Sequence, residues 1–174
     1  MLVKDAQILT HNDDMTNSAY IKTWVGDLVP QSSYESAGLP RGGGWFVPSP
    51  PLPSLESLLT PPRGVVQNIR FENFHVVGAA IGPDINQDSG DNGSYPGTSK
   101  MEISNIAFVN FTGYLAGAKG NRTAAISCSN VYPCYNIALK DVDLAPSINA
   151  SAQTEAVGTC VYVAAGGVSG LSGC

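Results

Sequence analysis

The stretch NIRFENF at Asn68–Phe74 returns twice along the chain, as NIAFVNF at Asn105–Phe111 and as NIALKDV at Asn136–Val142. Each copy begins with Asn and has apolar residues at its second, fourth and seventh places. The copies start 37 and 31 residues apart, a spacing typical of solenoid repeats with variable loops. A looser copy, VKDAQIL, lies near the start at Val3–Leu9.

The apolar residues of each copy alternate, which indicates a strand with one inward face and Asn or Gly at the bordering corner. A single coil of this size cannot bury its apolar face, but stacked coils share a core in which like residues lie above one another. The repeats therefore predict an all-β fold, a right-handed parallel β-helix. A β-sandwich is the structural alternative, although it would not require the Asn-Ile phrase to recur.

Composition limits the class of protein. The 174 residues suffice for one domain with a real core, and we expect a single domain over residues 1–174. Charged residues form 13% of the chain, and abundant Gly and Pro favour short strands joined by turns. The net charge of −5, without any Lys/Arg cluster, argues against nucleic acid or an anionic membrane as partner. The sequence has neither an apolar run of membrane-spanning length nor an evident signal peptide.

Cysteines and glycosylation sequons nevertheless favour export. All four cysteines lie in the last 47 residues, and an even, clustered set suggests two local disulfides. Of three possible pairings, the local spacing favours Cys128–Cys134 and Cys160–Cys174. The spacing fits no usual zinc pattern, so we expect no metal and no other cofactor. Four N-glycosylation sequons begin at Asn92, Asn110, Asn121 and Asn149.

One segment breaks the strand pattern. Residues 46–63, FVPSPPLPSLESLLTPPR, contain six of the twelve prolines, which remove ladder hydrogen bonds and interrupt helices. We expect an exposed, irregular insertion. Two origins are open: a short intron that was read as protein, or a genuine loop of this lineage.

Three further motifs carry a family resemblance: YIKTWVG at Tyr20–Gly26, GPDINQDS at Gly82–Ser89 and CSNVYPCYNI at Cys128–Ile137. With the Asn-Ile repeats, they resemble glycoside hydrolase family 28, the polygalacturonases and rhamnogalacturonases, over nearly all of the chain except residues 46–63. The longer run DMTNSAYIKTWVGDLVPQSSYESAGLPRG looks most like fungal exo-acting members, which release galacturonic acid from pectic chain ends.

The resemblance implies a pectin-lyase-like right-handed parallel β-helix and inverting hydrolysis of α-galacturonosidic bonds, in which one carboxylic acid protonates the leaving oxygen and a carboxylate activates water. The family's Asn-Thr-Asp, Asp-Asp and Gly-His-Gly motifs cannot be placed in this sequence. Asp13-Asp14 stands too close to Tyr20 to be the family's pair, and His11 lacks flanking glycines. We therefore expect a β-helix truncated on its N-terminal side, with the catalytic groups upstream of Met1.

What remains is expected to bind substrate. Lys22 matches the lysine of the family's Arg-Ile-Lys motif, and an ammonium can bind a galacturonate carboxylate. Tyr20 stands where many members have arginine and offers a ring for sugar stacking. Ser89 replaces a tyrosine of endo-acting relatives, which favours an exo pocket. His75 is expected to be a lateral surface or satisfied core residue, and Trp24 and Trp45 are as readily explained by packing.

These features leave three functions open. The parent protein is expected to be a secreted, monomeric exo-acting hydrolase of pectic polysaccharide, whereas this chain alone is expected to be inactive. The alternative is a β-solenoid that binds pectic oligosaccharide without cleaving it. The third is a fragment with no activity, because a solenoid cut within its stack exposes apolar surface and unpaired strand edges.

Overall fold

The computed structural model describes residues 1–9, 17–24, 64–90, 93–94 and 99–174. All regular elements in these ranges are strands, and none of the described residues forms a helix that could span a membrane. In chain order the strands are β1 (Leu2–Leu9), β2 (Asn17–Trp24), β3 (Gly64–Ala79), β4 (Ile81–Gly90), β5 (Gly93–Ser94), β6 (Met101–Leu115), β7 (Ala124–Ser127), β8 (Tyr135–Ala145), β9 (Ala156–Val161), β10 (Val168–Ser169) and β11 (Leu171–Ser172).

The strands form two sheets, and the chain alternates between them. The first sheet has the order β1-β3-β6-β8-β10, and the second has the order β11-β9-β7-β4-β2. Neighbours within each of these orders are parallel, and the short β5 pairs antiparallel with β4. This topology excludes the β-sandwich alternative for the described strands, because such sandwiches are built from antiparallel sheets.

The sequence repeats stack in register in the first sheet. Ile69 pairs with Ile106, which pairs with Ile137, so the second places of the three copies lie side by side. The looser copy also joins the first sheet, but in a different register from the other copies. Val3 pairs with Phe71, which is a fourth-place residue, so VKDAQIL is displaced by three positions from the other copies. This strand lacks the Asn-Ile start that would have fixed its alignment.

Asparagines form the corners of the repeats, as the sequence predicted. The first-place residues Asn68, Asn105 and Asn136 have φ between 54° and 59°, a left-handed conformation that asparagine adopts more readily than most residues. A second corner, not predicted, occupies the sixth place of each copy. Asn73 Nδ2 donates to Asp5 Oδ1 at 2.9 Å, and Asn110 Nδ2 donates to Asn73 Oδ1 at 2.9 Å. We call this series the asparagine ladder.

The core lies between the sheets. Phe71 stacks on Phe108 with ring centroids 5.1 Å apart, and Phe74 stacks on Phe111 at 4.7 Å. Phe108 and Phe111 are fully buried. The second sheet contributes smaller apolar side chains from its inward positions, which include Ile21, Ile85 and Ile126. The aromatic residues thus repeat between β3 and β6 of the first sheet, while the second sheet contributes aliphatic residues.

Two disulfides close loops near the end of the chain. Cys128 is bonded to Cys134 and Cys160 to Cys174, which is the pairing that local spacing favoured. The loop closed by the first bond is also held by Gln87, a fully buried residue of β4. Gln87 Oε1 accepts from Ser129 N at 3.0 Å, and its Nε2 donates to the carbonyl oxygens of Tyr132, at 3.1 Å, and Met101.

Candidate functional site

The outward face of the second sheet carries a row of polar residues. Along β2 the side chains alternate, so Tyr20 and Lys22 face outward while Ala19, Ile21 and Thr23 are buried. Parallel pairing places Asp84 of β4 beside Tyr20, and Asn86 beside Lys22. Ala125 and Ser127 of β7 continue the two rows. Because these last two side chains are small, the face is hollow at β7.

An open groove of about 540 Å³ lies over this face. Tyr20, Lys22 and Asp84 line it from the strands, and Lys119 and Arg122 line it from the segment between β6 and β7. Arg122 is oriented by a hydrogen bond from its Nε to the Lys119 carbonyl oxygen at 3.4 Å. Asn17, Ala80, Ile81, Ala118 and Ala125 complete the lining.

The charge of the groove opposes the charge of the whole chain. Among the residues that the structure describes, the lining contains three cationic side chains and one carboxyl group, whereas the chain has a formal net charge of −5. Clefts lined by one sign of charge concentrate ligands of the opposite sign. The groove is therefore suited to an anionic ligand that also presents polar groups.

Asp84 is the unusual group within the groove. Burial raises the pKa of its carboxyl to about 6, even though a hydrogen bond from Asn17 and the positive charge of Lys119 act in the opposite direction. The side-chain amide of Asn17 donates to Asp84 Oδ2. Burial also raises the pKa of the Tyr20 phenol, with a further contribution from the Asp84 charge, while a side-chain hydrogen bond with Asn86 lowers it. Asp84 is thus held by the hydrogen bond from Asn17 and lies within the field of the Lys119 charge.

The groove can bind, but its described residues do not provide acid and base together. Inverting glycosidases use two carboxyl groups about 6.5–9.5 Å apart. Asp84 is the one carboxyl among the lining residues of the described part of the chain. Nor do the described residues contain a group of three or more His, Cys, Asp or Glu side chains that could hold a metal ion.

The structure brings together the two residues that the sequence nominated as substrate binders. Lys22 and Tyr20 are two places apart on β2 and line the same groove. His75 lies elsewhere, exposed on the first sheet, with its Nδ1 3.3 Å from Thr112 Oγ1, as a lateral surface position requires. His11, Asp13, Asp14, Trp45, Asn92 and residues 46–63 lie outside the described residues, and the side chains of Trp24 and Ser89 are not described.

Four lining residues escaped the sequence analysis: Asn17, Asp84, Lys119 and Arg122. Asp84 belongs to the GPDINQDS motif, but the resemblance gave it no role. Arg122 was noticed only as the middle residue of a sequon. For Asp84 the available signal was the alternation along β4, which places it on the outward face. Lys119 and Arg122 lie between strands, where alternation gives no signal. Asn17 is an odd number of positions from Tyr20, so alternation does not indicate it either.

Three sequons fall within the described residues. Asn121 and Asn149 are exposed between strands, on the β6–β7 and β8–β9 segments. Asn110 is also exposed, but its side-chain nitrogen already donates within the asparagine ladder. Asn121 immediately precedes Arg122, so a glycan attached there would stand at the rim of the groove.

Comparison with known proteins agrees with this architecture. Residues 60–165 match the family described as Glycosyl hydrolases family 28. The chain is 54% identical, over 99% of its length, to an Aspergillus niger protein provisionally named galacturan 1,4-alpha-galacturonidase C. It is 55% identical, over the same share, to the protein so named in Neosartorya fischeri. The chain spans 36% of the length of each of these relatives.

A more distant relative is an Emericella nidulans protein provisionally named exopolygalacturonase B. It is 33% identical over 86 residues, which is 47% of this chain and 19% of that protein. No solved structure gives a significant match. Since the family match covers more than half of the chain and includes the repeats of the first sheet, the chain belongs to glycosyl hydrolases family 28.

Proposed function

We propose that this chain forms the substrate-binding wall of an exo-acting, inverting hydrolase of pectic polysaccharide. The observation that carries the proposal is the groove with Lys22, Lys119 and Arg122 on an acidic chain. Pectic galacturonate presents one carboxylate per sugar, and ammonium and guanidinium groups are the side chains that bind carboxylates most strongly. The names of the relatives, a galacturan 1,4-alpha-galacturonidase and an exopolygalacturonase, support the choice of substrate.

Lys22 and Tyr20 have different roles in this proposal. Lys22 attracts a galacturonate carboxylate as a point charge. Tyr20, whose ring is 39% exposed, offers an apolar face on which a pyranose ring can stack while its hydroxyl stays bound to Asn86. The two residues are successive positions on one face of the strand and therefore lie about 6.6 Å apart, so both side chains can contact the same or adjacent sugars.

We also propose that the two sheets are successive walls of one right-handed parallel β-helix. Two observations support this fold: the chain alternates between the sheets, and the equivalent residues of its repeats pair in register. Parallel crossover connections are right-handed in almost all proteins. We propose an extracellular site of action, because two disulfides persist best in an oxidising compartment.

A second function is favoured because Asp84 is the single carboxyl among the described residues that line the groove. Without a second carboxyl group opposite Asp84, the chain by itself would bind oligogalacturonide and leave it intact. Incubation of the chain with trigalacturonate, followed by chromatography of the products, tests this expectation. Appearance of free galacturonate would contradict it and would require a second acid within the chain.

The binding proposal is tested by titration calorimetry with trigalacturonate at pH 7. We expect Lys22→Ala to weaken binding about tenfold, since a charge-assisted hydrogen bond contributes about 1.5–3 kcal/mol. Lys140→Ala is the matched control, because Lys140 is an exposed lysine on the first sheet, away from the groove. Equal affinity of the wild type and the Lys22 variant, or an equal loss in both variants, would refute the role of Lys22.

A further inference from the structure

The groove contains one feature that binding of an anion does not explain. A carboxylate among cations repels an anionic ligand, and burial of Asp84 is unfavourable enough to raise its pKa to about 6. Asp84 faces outward from the sheet, so the apolar core does not require it. A group that opposes both stability and the attraction of anions needs another function within the groove.

The position of Asp84 indicates what that function is. It stands beside Tyr20 in one row of the sheet, and Lys22 and Asn86 stand in the next row. The two rows are about 6.6 Å apart, since two residues along a strand return to the same face. This separation is comparable with the width of a pyranose ring. A sugar acid whose carboxylate lies on the Lys22 row therefore directs its ring hydroxyls toward the Asp84 row.

The surroundings of Asp84 fit a hydrogen-bond acceptor for those hydroxyls. Asn17 donates a hydrogen bond to Oδ2, which fixes the carboxyl group, and a carboxylate has further lone pairs that can accept from a ligand. A carboxylate accepts stronger hydrogen bonds from hydroxyl groups than a neutral oxygen does. Ala125, the next residue in the same row, is too small to fill the space beside Asp84.

We propose that Asp84, fixed by Asn17, is a specificity-determining residue that accepts hydrogen bonds from the ring hydroxyls of the uronate whose carboxylate binds Lys22. This inference rests on the proposed function and deepens it. The cations attract any small polyanion, whereas Asp84 admits those that carry hydroxyl groups at the correct distance and repels those that do not. The groove thereby selects sugar acids from among anions, because rejection of the wrong ligand is as important as attraction of the right one.

The test compares two ligands at pH 7, where the carboxyl of Asp84 is ionised. Trigalacturonate carries carboxylates and hydroxyl groups, and the peptide triglutamate carries carboxylates without sugar hydroxyls. We expect Asp84→Asn to weaken trigalacturonate binding about tenfold, because an uncharged acceptor replaces a charged one. Triglutamate should bind this variant as well as, or better than, it binds the wild type, because a repelling charge has been removed. Asp143→Asn removes the same charge from an exposed position on the first sheet and should change neither affinity.

Each of the other possible results identifies which part of the proposal is wrong. Tighter binding of both ligands to the Asp84 variant would mean that Asp84 only repels anions. Weaker binding of both would mean that it only positions Tyr20 and its neighbours. If the wild type binds trigalacturonate and Asp84→Asn binds it equally well, the specificity role alone is refuted. If the wild type does not bind trigalacturonate at all, the proposed function fails and this inference fails with it.

Discussion

The inward rows of the first sheet repeat apolar side chains, whereas the rows on the outward face of the second sheet change at every strand. Ile69, Ile106 and Ile137 form one row of the first sheet. The row that begins at Tyr20 continues through Asp84 and Ala125. Repetition stabilises a stack, because identical side chains pack and hydrogen-bond with their copies. On the outward face of the second sheet, the loss of repetition coincides with the lining of the groove.

The largest expected effect is on the repeating side of the core. Phe108 is fully buried and stacks on Phe71, so Phe108→Ala should lower the free energy of unfolding by about 3–5 kcal/mol. Thr159→Ala, at an exposed position of β9, should change it by less than about 0.5 kcal/mol. Urea denaturation followed by circular dichroism measures both. Similar losses of unfolding free energy at Phe108 and Thr159 would contradict the expected difference between the two sheets.

The next effect separates stability from binding. Joint replacement of Cys160 and Cys174 by serine removes a bond between residues 14 apart and should lower stability by about 3 kcal/mol. The groove lies on other residues, so affinity for trigalacturonate at a temperature where both proteins are folded should not change. Calorimetric titration together with thermal unfolding checks both expectations. A loss of affinity in the folded variant would show that the groove depends on this bond.

A smaller loss of stability is expected when the asparagine ladder is disrupted. Asn73 has φ of 59° and makes two ladder hydrogen bonds, so Asn73→Ala removes the bonds and also strains the backbone. Asn73→Gly removes the bonds but tolerates the same φ. We expect losses of about 2 kcal/mol for alanine and about 1 kcal/mol for glycine, measured by denaturant unfolding. Equal losses would mean that the corner conformation contributes nothing.

The smallest expected effect on stability is a gain, and it concerns Asp84 on the outward face of the second sheet. The folded-state pKa of Asp84, about 6, exceeds its ordinary value of 3.8, so the folded protein binds more protons between these pH values. The stability that this raised pKa contributes is therefore fully present below about pH 4 and is lost as the pH rises through about 6. Asp84→Asn should remove that dependence and should stabilise the protein at pH 7 by about 1 kcal/mol after solvent screening.

Unfolding of the wild type and the Asp84 variant at pH 4 and pH 7 gives the measurement. Other groups titrate equally in both proteins, so the difference between the two stability curves isolates Asp84. A wild type that gains stability on going from pH 4 to pH 7, relative to the variant, would contradict the expected sign.

The fold could be predicted from the sequence because the repeat that forms strands of the first sheet occurs three times. Places two, four and seven of the repeat pair as expected, and first-place asparagines form corners. The sixth-place corner was missed, because Asn73, Asn110 and Asp141 resemble ordinary polar surface residues in a strand pattern. The register of Val3–Leu9 was not predicted, because apolar spacing alone fits more than one alignment.

For a related reason, only part of the site could be predicted from the sequence. Lys22 and Tyr20 stand in a motif that other proteins share, and a motif can be recognised in one chain. Asp84 and Lys119 join them only through parallel pairing and the course of the β6–β7 segment, and Tyr20 and Asp84 are 64 positions apart in the sequence. Proximity of that kind arises when the chain folds, so neighbouring residues in the sequence carry no trace of it.

Gln87 gives the loop between Cys128 and Cys134 a second attachment of a different chemical kind. A thiol reductant can open the disulfide, but the three hydrogen bonds of the Gln87 side chain to Ser129, Tyr132 and Met101 do not depend on redox state. Gln87 itself is fully buried, so water competes poorly for its side chain. The loop therefore keeps its place before oxidation as well as after it, and the two sulfur atoms are already close when the oxidant arrives.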